Sequence, residues 1–135
     1  MLKSLLTVAV LVVCSLAFTG AVSASAPTTQ VRMEAKMRGP APARIEAKVA
    51  YRMEVSNGRT MRKFQAEISR AAPGATFTVT HLGQVIGTIT TNAFGAGKIE
   101  RTWRSDLPNS PAVPVMAAGD AVAVGSFAGT LAIVR

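Results

Sequence analysis

His81 is the chain's only histidine and Cys14 its only cysteine. Those two residue types carry most general-base, nucleophilic and soft-metal chemistry, so the supply is narrow from the start. A Ser-His-Asp relay would need His81 as its base, hydrogen-bonded to a serine and a carboxylate. No Gly-x-Ser-x-Gly occurs, and Val124-Gly125-Ser126 reads as part of a turn, not as a strand-to-helix elbow. His81 reads instead as a partly exposed strand-end residue beside a turn at Gly83. Tetrahedral zinc wants several His or Cys ligands, which this chain cannot supply. The carboxylates Glu34, Glu46, Glu54, Glu67, Glu100, Asp106 and Asp120 are scattered, whereas calcium wants its oxygen ligands clustered. Asp120 reads as a turn residue whose side chain bonds nearby backbone. Met33, Met37, Met53, Met61 and Met116 could offer thioethers to copper(I). Met33, Met37 and Met53, however, alternate with charged residues and read as core. Gly95-Ala96-Gly97-Lys98 lacks the Ser or Thr and the helix of a phosphate loop. No catalytic residue, cofactor or metal is expected. The enzymatic alternative is a small hydrolase whose carboxylates converge only in the fold.

One segment jars. In Ile99-Glu100-Arg101-Thr102-Trp103-Arg104, a period of two puts Ile99, Arg101 and Trp103 on one face. On a core face, Arg101 would be costly unless paired or reaching water along its stem. On a surface, Arg101 and Trp103 would make a cation-aromatic patch for a sugar or an anionic polymer. Arg104, Arg62 and Lys63 could add charge to it. The quieter reading places the segment at a sheet edge, with Trp103 capping the core and Arg101 lying across it.

Charge points the same way. The 15 Lys and Arg against 7 Asp and Glu give a net charge of +8. Such a balance favours anionic partners and also keeps a β protein soluble with guarded edges.

The compartment follows from the N-terminus. Met1-Leu2-Lys3 is a short basic start, and the run from Leu5 to Phe18 is apolar apart from Thr7, Cys14 and Ser15. Val22-Ser23-Ala24 and Ser25-Ala26 then offer small-residue cleavage sites. This is the pattern of a secretory signal peptide over residues 1–24. A run shorter than about 20 apolar residues falls short of a membrane span, so none is expected after processing. Val13 precedes Cys14 where a lipoprotein box would place a small residue. Cleavage removes Cys14, so the fold must hold without a disulfide. The expected location is secreted or periplasmic. There an anionic cell-surface polymer or polysaccharide is a more available partner than nucleic acid.

These residues need strands to position them. Arg32-Met33-Glu34-Ala35-Lys36-Met37-Arg38 alternates without exception, with Met33, Ala35 and Met37 inward. Arg44 to Val55 alternates again, with Ile45, Ala47, Val49, Tyr51, Met53 and Val55 inward. Asn57-Gly58 is a hairpin turn, because both residues tolerate the positive φ of a type I′ turn. The return strand runs Met61 to Ser69, with Phe64, Ala66 and Ile68 inward. Further strands are predicted over Ala75–Leu82, Val85–Thr90, Lys98–Arg104, Ala121–Val124 and Thr130–Val134, with a turn at Ser126–Gly129. That makes about eight strands in a small antiparallel β-sandwich, with a small barrel as the alternative. A short linker over residues 25–30 leads into one β-domain over 31–135.

Four short segments carry a resemblance: Arg62-Lys63-Phe64, Pro73-Gly74, Gly83 with Val85-Ile86-Gly87-Thr88-Ile89, and Ala118-Gly119-Asp120-Ala121-Val122-Ala123-Val124. With them the chain resembles a small secreted bacterial β-domain. Such domains often carry Asn-Gly where this chain has Leu82-Gly83, and an apolar residue where Arg101 stands. The resemblance implies the fold and the export and implies no reaction.

The expectation is therefore an exported, non-catalytic β-domain, structural or binding, at the cell envelope or outside the cell. Intact-mass measurement of the exported protein should find a chain beginning at Ser25 or Pro27. Full-length chain held in the cytoplasm would count against processing.

Overall fold

The computed structural model describes residues 28–40 and 44–135. The expected signal peptide, its Cys14 and the start of the linker lie outside the described residues. The fold is all-β, and no helix occurs among the described residues. Strands run in the order β1 (Thr29–Arg38), β2 (Glu46–Ser56), β3 (Arg59–Ser69), β4 (Thr76–His81), β5 (Gln84–Thr90), β6 (Gly97–Arg104), β7 (Ala121–Val124), β8 (Phe127–Thr130) and β9 (Ala132–Ile133).

They form two antiparallel sheets, one ordered β6-β3-β2-β1-β9 and the other β5-β4-β7-β8. This is the expected sandwich rather than the barrel, because each sheet keeps its own ladder. The expected count of about eight strands becomes nine among the described residues. The difference lies at the C-terminus. Phe127–Thr130 is strand, not turn, and the chain then crosses at Leu131 to pair Ile133 with Met33 in the other sheet. Leu131 is buried at that crossing, so it serves both layers.

The alternation in the sequence becomes the two faces of the first sheet. Pairs directly opposite in an antiparallel ladder share a face. Thus Met37, Ala47 and Ile68 form one inner row, and Ala35, Val49 and Ala66 the next. All six are buried. The second sheet contributes Val79, Ile89, Val122 and Val124 to the same core. The connection from residue 105 to 120 folds over one end of the sandwich and buries Val113 and Met116. At the opposite end two crossovers lie side by side. Thr91 joins them, its hydroxyl donating to the Ala72 carbonyl at 2.6 Å and accepting from the Ala75 amide at 2.9 Å.

Of the three two-residue hairpins, β2–β3 and β4–β5 have positive φ at both turn residues, as a type I′ turn requires. Asn57 and Gly58 have φ of 51° and 73°, and Leu82 and Gly83 have 50° and 80°. Asparagine visits this region at low cost, but a leucine there is strained by about 1 kcal/mol or more. Leu82 is also largely exposed, so its side chain gains little in return. Leu82→Asn should therefore raise unfolding stability by about 1 kcal/mol. The measurement is the denaturant midpoint at unchanged slope; a lower midpoint would contradict the strain.

Candidate functional site

The residues singled out in the sequence separate onto two faces. β6 is an edge strand of the first sheet and pairs with β3. The register sets Arg62 opposite Trp103 and Phe64 opposite Arg101. Phe64 is fully buried, so its row, Arg101 included, points into the sandwich. Trp103 is half-buried against the core. Lys63, opposite Thr102, alternates to the outer face, and Arg104 is exposed at the end of its strand. Arg62, Arg101 and Trp103 thus come together inside, while Lys63 and Arg104 do not join them.

Inside, two devices accommodate the arginines. The Arg62 guanidinium carbon stacks over the Trp103 ring at 3.8 Å from its centroid. Such a stack contributes about 0.5–2 kcal/mol, depending on desolvation. The Arg62 Nε is nevertheless buried without a hydrogen-bond partner among the described residues. Arg101 lies across the gap toward Gly87 on β5. A Cβ at residue 87 would stand 3.2 Å from the Arg101 Nη2, so glycine there is what leaves space for the guanidinium. Tyr51, on the row of Phe64, is also buried. Its Oη makes no hydrogen bond of good geometry among the described residues. Burial pushes the phenol's pKa up, opposed more weakly by the Met116 backbone and the Arg62 charge.

His81 departs from expectation. It is 5 % exposed, not partly open to solvent. The inward face of β4 carries it, and the charge-accepting partner is Asp120. His81 Nε2 donates to Asp120 Oδ2 at 2.8 Å. The same oxygen accepts from the Ala117 amide at 2.9 Å, which is the backbone bond expected of Asp120. The Ala117 amide and then His81 hold this carboxyl below the usual carboxylate range. Sequence reasoning missed the pair because its members lie 39 residues apart. A His-carboxylate pair is two parts of a relay, and no serine is bonded to His81 among the described residues. The arrangement works as a polar pin between β4 and the loop before β7.

The outer face of the first sheet is a lattice of charges. Lys48 meets Glu34 at 3.2 Å, Arg52 meets Glu54 at 2.8 Å, and Lys63 meets Glu100 at 2.9 Å. Glu46 pairs loosely with Arg38, Asp106 pairs with Arg104 and Arg59, and Glu67 accepts from the Gln65 amide. Lys63 foremost lowers the pKa of Glu100, and Arg104 foremost that of Asp106. A general acid at neutral pH needs the opposite, a carboxyl held up. Among the described residues no cluster of three or more His, Cys, Asp or Glu could hold a metal ion. No protein-family model and no curated protein matches the chain.

The stack predicts a measurable coupling. Trp103→Ala should destabilise the fold by about 3 kcal/mol, since a large half-buried ring is lost. A double-mutant cycle with Arg62→Ala should return about 1 kcal/mol of coupling. Thermal and denaturant melts of the four proteins measure both. A coupling indistinguishable from zero would mean that the stack contributes nothing.

Proposed function

We propose that this chain is a non-catalytic β-sandwich module, exported from the cytoplasm, that works by holding an anionic partner at the cell envelope or outside the cell. The observation that carries this reading is the state of its charges. Every Asp and Glu side chain is already occupied by a protein partner: a cation for Glu34, Glu46, Glu54, Glu100 and Asp106, His81 for Asp120, and Gln65 for Glu67. Arg32, Lys36, Arg44, Arg62, Arg70, Arg101 and Arg135 make no ion pair among the described residues. The surplus is therefore positive and, Arg62 and Arg101 aside, exposed.

The patch reading through Arg101, Trp103, Arg104, Arg62 and Lys63 draws less support, because those side chains divide between the two faces of the sheet. The hydrolase reading draws least. It needs a carboxyl that keeps its proton, and the displaced carboxyls here are all displaced downward. The resemblance to secreted bacterial β-domains agrees with export and adds no reaction.

The protein should be retained on a sulfated or carboxylated polysaccharide matrix at low salt. It should elute before or near about 0.15 M salt, where the Debye length falls to about 8 Å and exposed charges are screened. Passage without retention at low salt would remove the anionic partner. Turnover of a glycoside or ester panel, tracking the purified protein, would restore the enzyme.

A further inference from the structure

Phe94 is 90 % exposed. Its loop is not loose. Asn92 Oδ1 accepts from the Phe94 amide at 2.9 Å and from the Ala96 amide at 3.1 Å. The Asn92 amide donates to the Ala96 carbonyl at 2.8 Å, and the Ala71 amide donates to the Gly95 carbonyl at 3.0 Å. Gly95 presses so closely on the neighbouring crossover that a Cβ there would lie 1.9 Å from the Ala71 carbonyl oxygen. The backbone is thus fastened on both sides of a large apolar ring that gains nothing from the fold. An aromatic ring held in place yet left 90 % exposed is available for contact with a partner.

Several cations share this end of the sandwich. Arg70, next to the Ala71 that binds Gly95, is exposed and sits at φ 61°, outside the ordinary backbone range for arginine. Just behind the loop is an open groove of about 700 Å³ whose lining includes Lys36, Arg38, Lys48 and Lys98 as well as Asn92 and Ala96. Two carboxylates, Glu46 and Glu67, share it. Phe94 does not line this groove, although Asn92 and Ala96 of its loop do.

We propose that this end of the sandwich docks on an anionic phospholipid surface, with Phe94 entering the boundary between headgroups and acyl chains while Arg70 and Lys36, which make no ion pair among the described residues, meet the phosphates. The proposal rests on the reading of an exported module with an anionic partner and names that partner's class. Convexity decides between lipid and polymer. A sugar chain stacks along an aromatic face within a cleft, beside groups that bond its hydroxyls. Phe94 has no polar handle and projects from an apex, which suits a surface soft enough to admit it. One ring and a few cations give a weak, reversible, salt-sensitive attachment, as single anchors do.

The test uses the protein as recovered from its host and sedimentation with vesicles. Binding should be seen with phosphatidylglycerol–phosphatidylcholine vesicles, be near absent with phosphatidylcholine alone, and fall as salt rises. The neutral vesicles also control for any apolar N-terminal run still attached. Phe94→Ala should weaken binding about tenfold or more, the loss of one buried aromatic side chain. Arg70→Asn should weaken it about fivefold, one interfacial charge. Asparagine tolerates positive φ, so that variant removes charge without adding strain. Both variants should melt like the parent. Unchanged vesicle binding by Phe94→Ala would overturn the docking geometry. No vesicle binding, with heparin retention intact, would overturn the lipid partner and leave the anionic-partner reading standing. Binding to neither would sink both.

Discussion

The Asn57-Gly58 turn holds β2 and β3 together over eleven consecutive residue pairs, from Glu46 with Ser69 to Ser56 with Arg59. Because strand side chains alternate, a slip of one residue would send one strand's entire set to the wrong face. For β3 that would turn Lys63 and Glu67 inward and Phe64, Ala66 and Ile68 outward. The cost of burying unpaired charge is large, so this register has no close competitor. β1 and β6 then pair on either side of the hairpin and inherit its two faces. The buried core and the charged lattice are consequences of one turn's geometry.

The same constraint explains the unusual polar content of the inner face. Once Phe64 is fixed inward, Arg62 and Arg101 must point inward as well, because they share its face by register. What makes this tolerable is position. β6 is an edge with β3 beside it, and Arg62 and Arg101 are each only half-buried. Trp103 offers its ring face to Arg62, and Gly87 in the opposing sheet leaves Arg101 a path across the gap. The orphaned Tyr51 Oη and Arg62 Nε mark where this accommodation is incomplete. Such atoms forfeit hydrogen bonds they would make in water, about 1–3 kcal/mol each.

Much of this was legible from period alone. Met33, Ala35, Met37, Ala47, Val49, Phe64, Ala66 and Ile68 alternate with charge and are buried as expected. Local turn chemistry marked the β2–β3 hairpin. What stayed hidden depends on contacts far apart in sequence. The passage of the chain from β8 to β9 is set by pairing Ile133 with Met33, a hundred residues away. The inward face of His81 follows from alternation with Val79, but its partner is a carboxylate 39 residues on, which the period of β4 does not mention. The faces of Arg101 and Trp103 could be paired by period, but only the register with Phe64 says which face is the core. Phe94 carried no signal at all, since a lone aromatic in a glycine-containing loop reads equally as core or surface.

The two ends of the sandwich have divided their polar groups differently, and that division bears on how the module works. At the end closed by the loop over residues 105–120, His81 and Arg62 are turned inward, onto Asp120 and Trp103, and the outward Arg59 and Arg104 are paired with Asp106. At the other end Arg38 and Lys98 are paired as well, but the exposed Arg70 and Lys36 have no carboxylate to satisfy them among the described residues. Charges already paired add little to binding, because a partner must first displace the existing ion pair. Unpaired, exposed cations have only water to give up. Attraction for an anionic surface should therefore be strongest at the end with the open cations, although the net charge belongs to the whole chain. Orientation on a partner would then come from the distribution of pairing, a property of the fold that no count of lysines and arginines contains.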